Sequence, residues 1–337
     1  MRRESVLENL NGALAELFAE DPKTVFIGED VADPYGGAFK VSKGLSAVAP
    51  DRVVSTPISE ESFTGMAAGM ALMGWRPVVD LMFSDFSALA FDPVVNFASK
   101  AVSMYGRRQS IQMVVRCANG GYRGYGATHS QSMQKYFMGV PNLCVYELTP
   151  FHDNKLVFKR MLGEHMPCVF FEEKSLYSHK QYKKGDADDG FKVSYRGPDD
   201  NWAVVSIDGG ERADVAILCH GGLSKMCLDA ARSLLMEDEI ESKMLIPSKL
   251  YPGSIEDIME ECRTAGRLLI AEESTGGNTW GDGVVGRICA NYHGTLPVKI
   301  GLLHSDDSII PASIAYENRV LVSEAKIIDA VKALLKV

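Results

Sequence analysis

Apolar residues in the first half of the chain alternate between helical and strand-like spacing. Over residues 4–19, apolar side chains such as Leu10 and Leu14 recur at helical intervals, and Pro22 predicts where that helix has ended. The apolar run at residues 24–28 is typical of a buried strand. The same patterns predict further helices over residues 61–74, 91–104, 130–138 and 153–164, and further strands over residues 77–83, 111–117, 143–148 and 168–173.

A polar, charged and turn-forming segment at residues 180–212 interrupts this alternation, and we expect a domain boundary there with one or two strands inside it. The alternation then resumes, with strands expected over residues 214–219, 243–247, 267–271 and 298–303, and helices over residues 223–236, 254–264, 282–292 and 323–336. Strands that alternate with helices favour a parallel sheet covered on both faces. The sequence therefore predicts an α/β fold of two doubly wound domains, residues 1–185 and 213–337, joined by a polar connector at residues 186–212.

Composition excludes several classes of protein. The 337 residues are 46% apolar and 23% charged, which is the balance of a soluble globular protein. The net charge of -9 argues against nonspecific nucleic-acid binding as the main function, and no run of about 18 uncharged apolar residues predicts a membrane span. Seven scattered cysteines, without a C-x-x-C pair, make a disulfide framework or a structural zinc site improbable. We therefore expect a cytoplasmic protein, since the first residues also lack a signal-peptide core.

Five loops at expected strand ends are candidate sites, because ligands of open α/β sheets collect at the carboxyl ends of the strands. The acidic loop at residues 28–37, which contains Glu29, is either a surface turn or the border of a site. His129, in a glycine-rich loop, is either a neighbour of a helix cap or a catalytic group. The segment at residues 280–286 fits a nucleotide-binding fingerprint poorly, and helix capping is its simpler role. The remaining two loops cover residues 56–70 and 83–86.

The loop at residues 56–70 carries the most specific pattern. Ser59 is expected to cap a helix whose positive end favours Glu60 and Glu61. Inside that helix, Gly65 and Gly69 each cost roughly 1 kcal/mol relative to alanine. Close packing of a partner backbone against the glycines would recover this loss, and a carboxylate at the mouth of such a helix is well placed to bind a ligand.

Glu60, followed after four residues by Gly65-Met66-Ala67-Ala68-Gly69-Met70, resembles the E-x4-G-Φ-x-x-G-Φ signature of thiamine-diphosphate enzymes. The segments GEDVADPYGGAFKVSKGL, TPISE, GWRPVVDLMF, FDPVVNFASK and THSQS are similar to the beta subunit of a 2-oxo acid dehydrogenase E1 component. The resemblance covers nearly the whole chain. It implies a thiamine-diphosphate pyrimidine-binding first domain and a transketolase C-terminal-like second domain, which serves subunit assembly and docking of a lipoyl acyltransferase core.

The resemblance also implies roles for single residues. Glu60 matches the glutamate that binds N1′ of the aminopyrimidine and thereby activates C2 of the cofactor for attack on the keto carbon of a 2-oxo acid. Ile58, Met82 and Phe86 match positions that line the pyrimidine pocket, with Phe86 as the stacking partner. His129 matches the histidine that positions the substrate and handles protons during acyl transfer to lipoamide. Glu29 lies in a matching acidic loop, without an assigned role.

The metal motif of the family is missing. Thiamine-diphosphate enzymes hold Mg²⁺ and the diphosphate with a G-D-G motif that is followed by an Asn well downstream. Here Gly281-Asp282-Gly283 is followed too soon by Asn291, and it lies in the second domain. The resemblance therefore implies an obligate E1 alpha subunit that supplies the Mg²⁺-diphosphate half of the site, most simply in an α2β2 tetramer. The small-residue helix at residues 61–74 would then pack at a subunit interface.

Several questions stay open at the level of sequence. Tyr122, Arg123 and Tyr125 are bulky where family members often have smaller residues, so they would narrow the substrate entrance or add a cationic contact. The 2-oxo acid and the acyl acceptor are not determined. Alternatives are the beta subunit of acetoin dehydrogenase, a split transketolase-like enzyme, and a non-catalytic assembly module. Intact Glu60, Phe86 and His129 argue against the last of these.

Overall fold

The computed structural model describes residues 4–207, 212–291 and 298–336. The strands in these ranges are β1 (Thr24–Gly28), β2 (Val53–Ser55), β3 (Arg76–Leu81), β4 (Val114–Asn119), β5 (Cys144–Glu147), β6 (Cys168–Glu173), β7 (Phe191–Arg196), β8 (Trp202–Ile207), β9 (Val215–Cys219), β10 (Ser242–Pro247), β11 (Lys249–Tyr251), β12 (Arg267–Thr275) and β13 (Lys299–Ser305). The α-helices are α1 (Val6–Glu20), α2 (Leu45–Val48), α3 (Glu60–Leu72), α4 (Ser99–Ala101), α5 (Asn154–Gly163), α6 (Leu223–Asp238), α7 (Met259–Ala265), α8 (Trp280–Asn291), α9 (Ile314–Val320) and α10 (Glu324–Leu335).

The strands form two sheets, which confirms the predicted α/β fold. The first sheet has the order β11-β5-β6-β4-β3-β1-β2, and all its neighbours are parallel except β11 and β5. The second sheet has the order β13-β12-β9-β10-β8-β7, with four parallel strands followed by the antiparallel pair β8 and β7. Strands β1, β3 and β4 are almost wholly buried, as expected of a parallel sheet with both faces covered.

In two places, the sheet to which a strand belongs differs from a division of the chain into residues 1–185, a connector and residues 213–337. Strands β7 and β8 lie inside the segment 186–212, which the sequence predicts as a polar connector, and both belong to the second sheet. Strand β11 lies far into the second half of the chain but pairs with β5 of the first sheet. One buried apolar cluster also runs from the first sheet to the second, and Trp202 and Trp280 meet within it with ring centres 6.2 Å apart. The two halves therefore share a core, while their division into domains stays a prediction.

Local sequence signals explain where helices begin and end. Ser5 and Glu8 form a capping box at the start of α1, and Ser323 caps α10 through the backbone of Lys326. Ser59 occupies the N-cap position of α3, but its hydroxyl donates to the Pro57 carbonyl instead of capping the helix, so the expected cap is wrong. The predicted helix at residues 91–104 is formed by a π-helical stretch, Pro93–Ala98, and α4.

The helix predicted over residues 130–138 is wrong. Only a short 3₁₀ turn, Gln134–Phe137, forms there. The side chains of Gln131 and Gln134 donate to the carboxylates of Asp85 and Glu147, which lie on other elements. These tertiary hydrogen bonds hold the segment in an irregular conformation that apolar periodicity does not reveal.

No helix within the described parts of the chain is long and apolar enough to cross a membrane.

A cluster of buried charges lies inside the first sheet. Arg116 on β4 reaches Asp80 on β3, with Nη1 2.6 Å from Oδ2, and binds Glu172 on β6 through two nitrogens. The hydroxyl of Tyr177 donates to the same Glu172 carboxylate at 2.8 Å. Burial raises the pKa of Asp80 to about 6, although Arg116 acts in the opposite direction. The three charged side chains are nearly inaccessible, so each depends on the others for its compensation.

Candidate active site

Four neighbouring parallel strands bring the sequence-predicted residues to one edge of the first sheet. Glu29 follows β1 directly, Glu60 follows β2, Phe83 and Phe86 follow β3, and the glycine-rich loop follows β4. These strands are adjacent in the order β4-β3-β1-β2 and run parallel, so their carboxyl ends lie side by side. Such an edge is where open α/β sheets bind ligands.

Two buried carboxylates form one part of this edge. Glu60 is 6% exposed at the first turn of α3, and Glu29 is 8% exposed. Burial raises the pKa of Glu29, the neighbouring charge of Glu60 raises it further, and a hydrogen bond from the Ser59 backbone N–H offsets part of the rise. The two acids are therefore close enough to interact, although they lie far apart in sequence.

Both carboxylates have oxygens without a hydrogen-bond partner among the described residues. Oε1 of Glu29 is buried without one, and no described side chain donates to the carboxylate of Glu60. A fully buried carboxylate oxygen without a donor, such as Oε1 of Glu29, is unfavourable by a few kcal/mol, and native proteins rarely leave one unpaired. The arrangement thus favours a ligand that brings its own donors or a shared proton to this edge.

An aromatic cluster forms the other part of the edge. The His129 ring lies edge-on to two phenylalanines, with its centre 4.7 Å from that of Phe83 and 5.3 Å from that of Phe86. Tyr125 also meets Phe83 edge-on, at 5.9 Å. The Oγ1 of Thr128 lies 3.0 Å from Nδ1 of His129, which leaves Nε2 for other partners. The cluster thus combines flat apolar surfaces with one titratable ring.

The predicted pocket residues are not all enclosed. Met82 and Phe86 are half-buried, whereas Ile58 is 83% exposed. Ile58 therefore does not form part of a closed pocket within the single chain. Its large exposed apolar surface is available for contact with another molecule.

Two residues near the cluster escaped the motif-based prediction. Asp85 lies in the turn between Phe83 and Phe86 and accepts a hydrogen bond from the Gln131 side chain at 2.8 Å. Burial raises the pKa of Asp85, and the hydrogen bonds from Gln131 offset part of this rise. Its second oxygen, Oδ2, is buried without a partner. The sequence signal that could have identified Asp85 is its position between two aromatic residues directly after a predicted strand.

Lys174 is the other unpredicted residue. It is fully buried, and its Nζ donates to the Asn119 carbonyl at 3.1 Å. The same Nζ lies 6.0 Å from the ring centre of Phe83 and 5.8 Å from that of Tyr125. A positive charge thus lies behind the aromatic cluster, where ring faces favour a cation. The position directly after β6 indicated only that Lys174 would lie near the sheet edge.

The bulky residues of the glycine-rich loop take different positions. The Tyr122 hydroxyl donates to the Val322 carbonyl at 2.9 Å, so this side chain anchors the loop on the second half of the chain and does not narrow an entrance. Arg123 donates to the Lys174 carbonyl at 2.9 Å, and its guanidinium lies 6.0 Å from the Phe39 ring centre. No carboxylate of the described residues forms an ion pair with Arg123. Of the three bulky loop residues, only Arg123 could therefore add a cationic contact for a substrate.

Close packing explains the glycines of this loop. Gly121 and Gly124 donate their backbone N–H groups to Glu273 at 2.7 Å and to Glu317 at 2.8 Å. Gly120 has φ of +79°, and a Cβ there would lie 1.5 Å from a carboxylate oxygen of Glu173. The second half of the chain thus clamps the loop that leads to His129.

The structure supports a capping role for the Gly281-Asp282-Gly283 segment. These residues lie in the first turn of α8, where the Asp282 carboxylate accepts the Thr279 backbone N–H at 3.0 Å. In residues 4–207, 212–291 and 298–336, no three His, Cys, Asp or Glu side chains are grouped so that they could hold a metal ion.

Known proteins resemble the chain in sequence. Residues 5–180 match the family model described as transketolase, pyrimidine binding domain. The chain is 29% identical to the acetoin:2,6-dichlorophenolindophenol oxidoreductase subunit beta of Cupriavidus necator, with 99% of this chain and 98% of that protein covered. It is 30% identical to the pyruvate dehydrogenase E1 component subunit beta of Rickettsia felis, with 97% of each covered.

Solved structures share the fold. A structure described as a split gene transketolase, inactive beta4 tetramer, superimposes with a TM-score of 0.71 at 18% identity, and 99% of both chains is covered. The transketolase from Leishmania mexicana superimposes with a TM-score of 0.68 at 14% identity, and the match covers the whole of this chain and 46% of that one. At these identities the likeness concerns the fold.

Proposed function

The chain belongs to the thiamine-diphosphate-dependent, transketolase-like family that contains the E1 beta subunits, and on that basis we propose that it is the beta subunit of a heteromeric 2-oxo acid dehydrogenase E1. In this role it supplies the aminopyrimidine half of a shared thiamine-diphosphate site. The complex oxidatively decarboxylates a 2-oxo acid and transfers the acyl group to a lipoyl-type carrier. The observation that carries the proposal is Glu60, which is 6% exposed and lies beside Glu29, with its unpartnered buried Oε1, at the ligand-binding edge of the sheet.

The residues at this edge fit an aminopyrimidine. Glu60, which is 6% exposed, would share a proton with N1′ of that ring. Phe86 and Met82 would lie against the ring and exclude water. Bound thiamine diphosphate supplies the nucleophilic carbon and the electron sink of the reaction. The protein's part is to hold and orient the cofactor.

His129 is suited to the substrate side of the site. Its ring is held between Phe83 and Phe86, and Thr128 engages Nδ1, so Nε2 can donate to or accept from a substrate oxygen. Its proposed work is to position the 2-oxo acid and to pass a proton during acyl transfer to the carrier.

An E1 alpha subunit would complete the site, most simply in an α2β2 tetramer, and would hold Mg²⁺ and the diphosphate. Three features of this chain support a partner: its sequence lacks a G-D-G motif with an Asn at the family's spacing, Ile58 is exposed, and one face of α3 is open. On that face, no atom lies within 4 Å of a Cβ built at Gly69, and Met73 is 81% exposed. An open apolar face of this kind marks an interaction surface. A lipoyl acyltransferase core is a further proposed partner.

Arg123 favours an acidic substrate over acetoin, the substrate named for one relative. Its guanidinium is half-buried, lies near Phe39, and has no carboxylate partner among the described residues. Phe39 in turn meets Phe83 at 5.7 Å, next to His129. A 2-oxo acid carries the carboxylate that such a cation would attract, whereas acetoin is neutral.

An acceptor assay tests this proposal. The chain is co-purified with a candidate alpha subunit and offered pyruvate, branched-chain 2-oxo acids, acetoin, or a ketose with an aldose. We expect reduction of lipoamide with a 2-oxo acid, and no turnover in a matched complex that carries Glu60→Gln. Turnover of acetoin alone, or ketol transfer alone, would replace the proposed activity by the corresponding alternative.

We also infer a cytoplasmic location, which the state of the cysteines supports. All seven are unpaired, and six are buried. Cys144 and Cys168 face each other across β5 and β6 without forming a disulfide. Unpaired cysteines in these positions fit a reducing compartment.

A further inference from the structure

A buried histidine joins the two sheets. His220 follows β9 of the second sheet, and its Nδ1 contacts Oε2 of Glu147 on β5 of the first sheet. Its Nε2 lies 3.2 Å from Oε2 of Glu272 on β12. All three residues are buried, so neither carboxylate is compensated by solvent. The proposed catalytic machinery uses none of them.

The geometry favours a charged His220. Both ring nitrogens face carboxylate oxygens, and only the imidazolium form donates from both nitrogens. Burial alone would lower the pKa of His220, but the charges of Glu147 and Glu272 and their hydrogen bonds raise it to about 10. His220 therefore carries its charge at neutral pH.

Each of the two carboxylates that contact His220 has further hydrogen-bond partners. Nε2 of Gln134 donates to Oε1 of Glu147 at 2.6 Å. On the other side, Oε1 of Glu272 accepts from the Thr279 hydroxyl at 2.6 Å and from the Gly281 backbone N–H at 2.8 Å, at the start of α8. A continuous series of hydrogen bonds thus runs from the segment that carries His129 to a helix in the second half of the chain.

The segment that carries His129 depends on such contacts for its shape. Residues 129–133 have no regular structure, and Gln134 begins only a short 3₁₀ turn. Side chains of residues 129–137 are held at three points, Gln131 by Asp85, Gln134 by Glu147 and Lys135 by Thr275. Glu147 also lies against Gly221, where a Cβ would be 2.2 Å from its Oε1, so its carboxylate has little freedom to shift.

We propose that His220 is a positioning residue, which holds Glu147 against Gln134 and thereby fixes the segment at residues 129–137. Its effect on catalysis rests on the proposed function, because it acts through His129. The positional effect itself is a property of the isolated chain and can be measured there.

Charge on His220 gives the contact a pH dependence. Because the pKa is raised on folding, the stabilisation is fully present below the ordinary histidine pKa, about 6.5, and is lost as pH rises to about 10. Other titratable or charged groups around Glu147, Glu272 and His220 are Glu173, Lys174, Cys219, Glu273 and His304. Glu273 titrates at about 7. Only the part of the pH dependence that disappears in a His220 variant belongs to His220.

Hydrogen–deuterium exchange on the full chain tests the proposal, with His220→Gln, Gln134→Leu and the double variant His220→Gln/Glu147→Gln. We expect His220→Gln to raise exchange in the peptide covering residues 129–137 about tenfold at pH 7.5, since a charge-assisted contact is lost, while α1 stays within twofold. Gln134→Leu should reproduce this local rise. Exchange of this peptide in the double variant should be closer to that of wild type than exchange in His220→Gln, because the double variant leaves one fewer unpaired buried charge.

His165→Gln is the matched control. His165 is exposed and contacts Ser110, with Nδ1 2.8 Å from Oγ, so its loss should leave exchange at residues 129–137 unchanged. The wild-type rise in exchange at this peptide between pH 8 and 10, corrected for intrinsic exchange, should be absent in His220→Gln. An unchanged peptide in both His220→Gln and Gln134→Leu, or a uniform rise over the whole chain, would overturn the proposal. An inactive wild-type complex would count against the proposed function and leave the exchange result standing.

Discussion

Replacement of Glu60 by Gln is expected to lower the turnover of the reconstituted complex at least about 100-fold, the usual minimum for loss of a proton-transfer group. Glutamine keeps the length of the side chain but cannot share a proton with the aminopyrimidine. The Glu60 side chain makes no hydrogen bond with the described residues, so its replacement should leave the fold intact. The measurement is steady-state lipoamide reduction, together with thermal unfolding of the variant chain.

Glu61→Gln provides the matched control. It changes the same residue type at the next position of α3, where the side chain is exposed, and should leave turnover within about twofold. A Glu60→Gln complex that retained full turnover would refute the assignment of Glu60 to the cofactor.

Replacement of Arg116 by Met is expected to lower the free energy of unfolding by about 3–5 kcal/mol, because it leaves Asp80 and Glu172 buried without their cation. Urea unfolding of the full chain at pH 7.5 measures the loss. At pH 5 the loss should be smaller. Asp80, whose pKa is already raised to about 6, then takes up a proton and no longer needs compensation.

Arg263→Met is the control for this prediction. Arg263 forms an exposed ion pair with Glu260, so its loss should change the free energy of unfolding by no more than about 1 kcal/mol. Equal effects of Arg116→Met and Arg263→Met would mean that the buried cluster does not stabilise the fold.

The sequence predicted most of the regular elements but not all of their partners. Apolar runs such as residues 24–28 and 168–171 marked buried strands, because most side chains of a strand covered on both faces are apolar. The spacing of apolar residues cannot show which sheet a strand joins, so the pairing of β11 with β5 was not predicted. The false helix at residues 130–138 has the same origin, since the hydrogen bonds that shape this segment come from distant residues.

In the candidate site too, local motifs predicted single residues but not their tertiary contacts. Glu60 and His129 were identified from local motifs, and the parallel order of the strands brings their loops to one edge of the sheet. The closeness of Glu29 to Glu60 depends on the pairing of β1 with β2, which no local pattern revealed. Lys174 and His220 acquire their roles only through tertiary contacts, and neither lies in a recognisable motif.

Titration calorimetry of thiamine diphosphate, with and without Mg²⁺, tests the central claim that this chain carries half of a shared cofactor site. The isolated chain should give no detectable binding, because its sequence lacks a G-D-G motif with an Asn at the family's spacing to hold Mg²⁺ and the diphosphate. The complex with an alpha subunit should bind the cofactor in a Mg²⁺-dependent manner. Tight Mg²⁺-dependent binding by the isolated chain would contradict the claim.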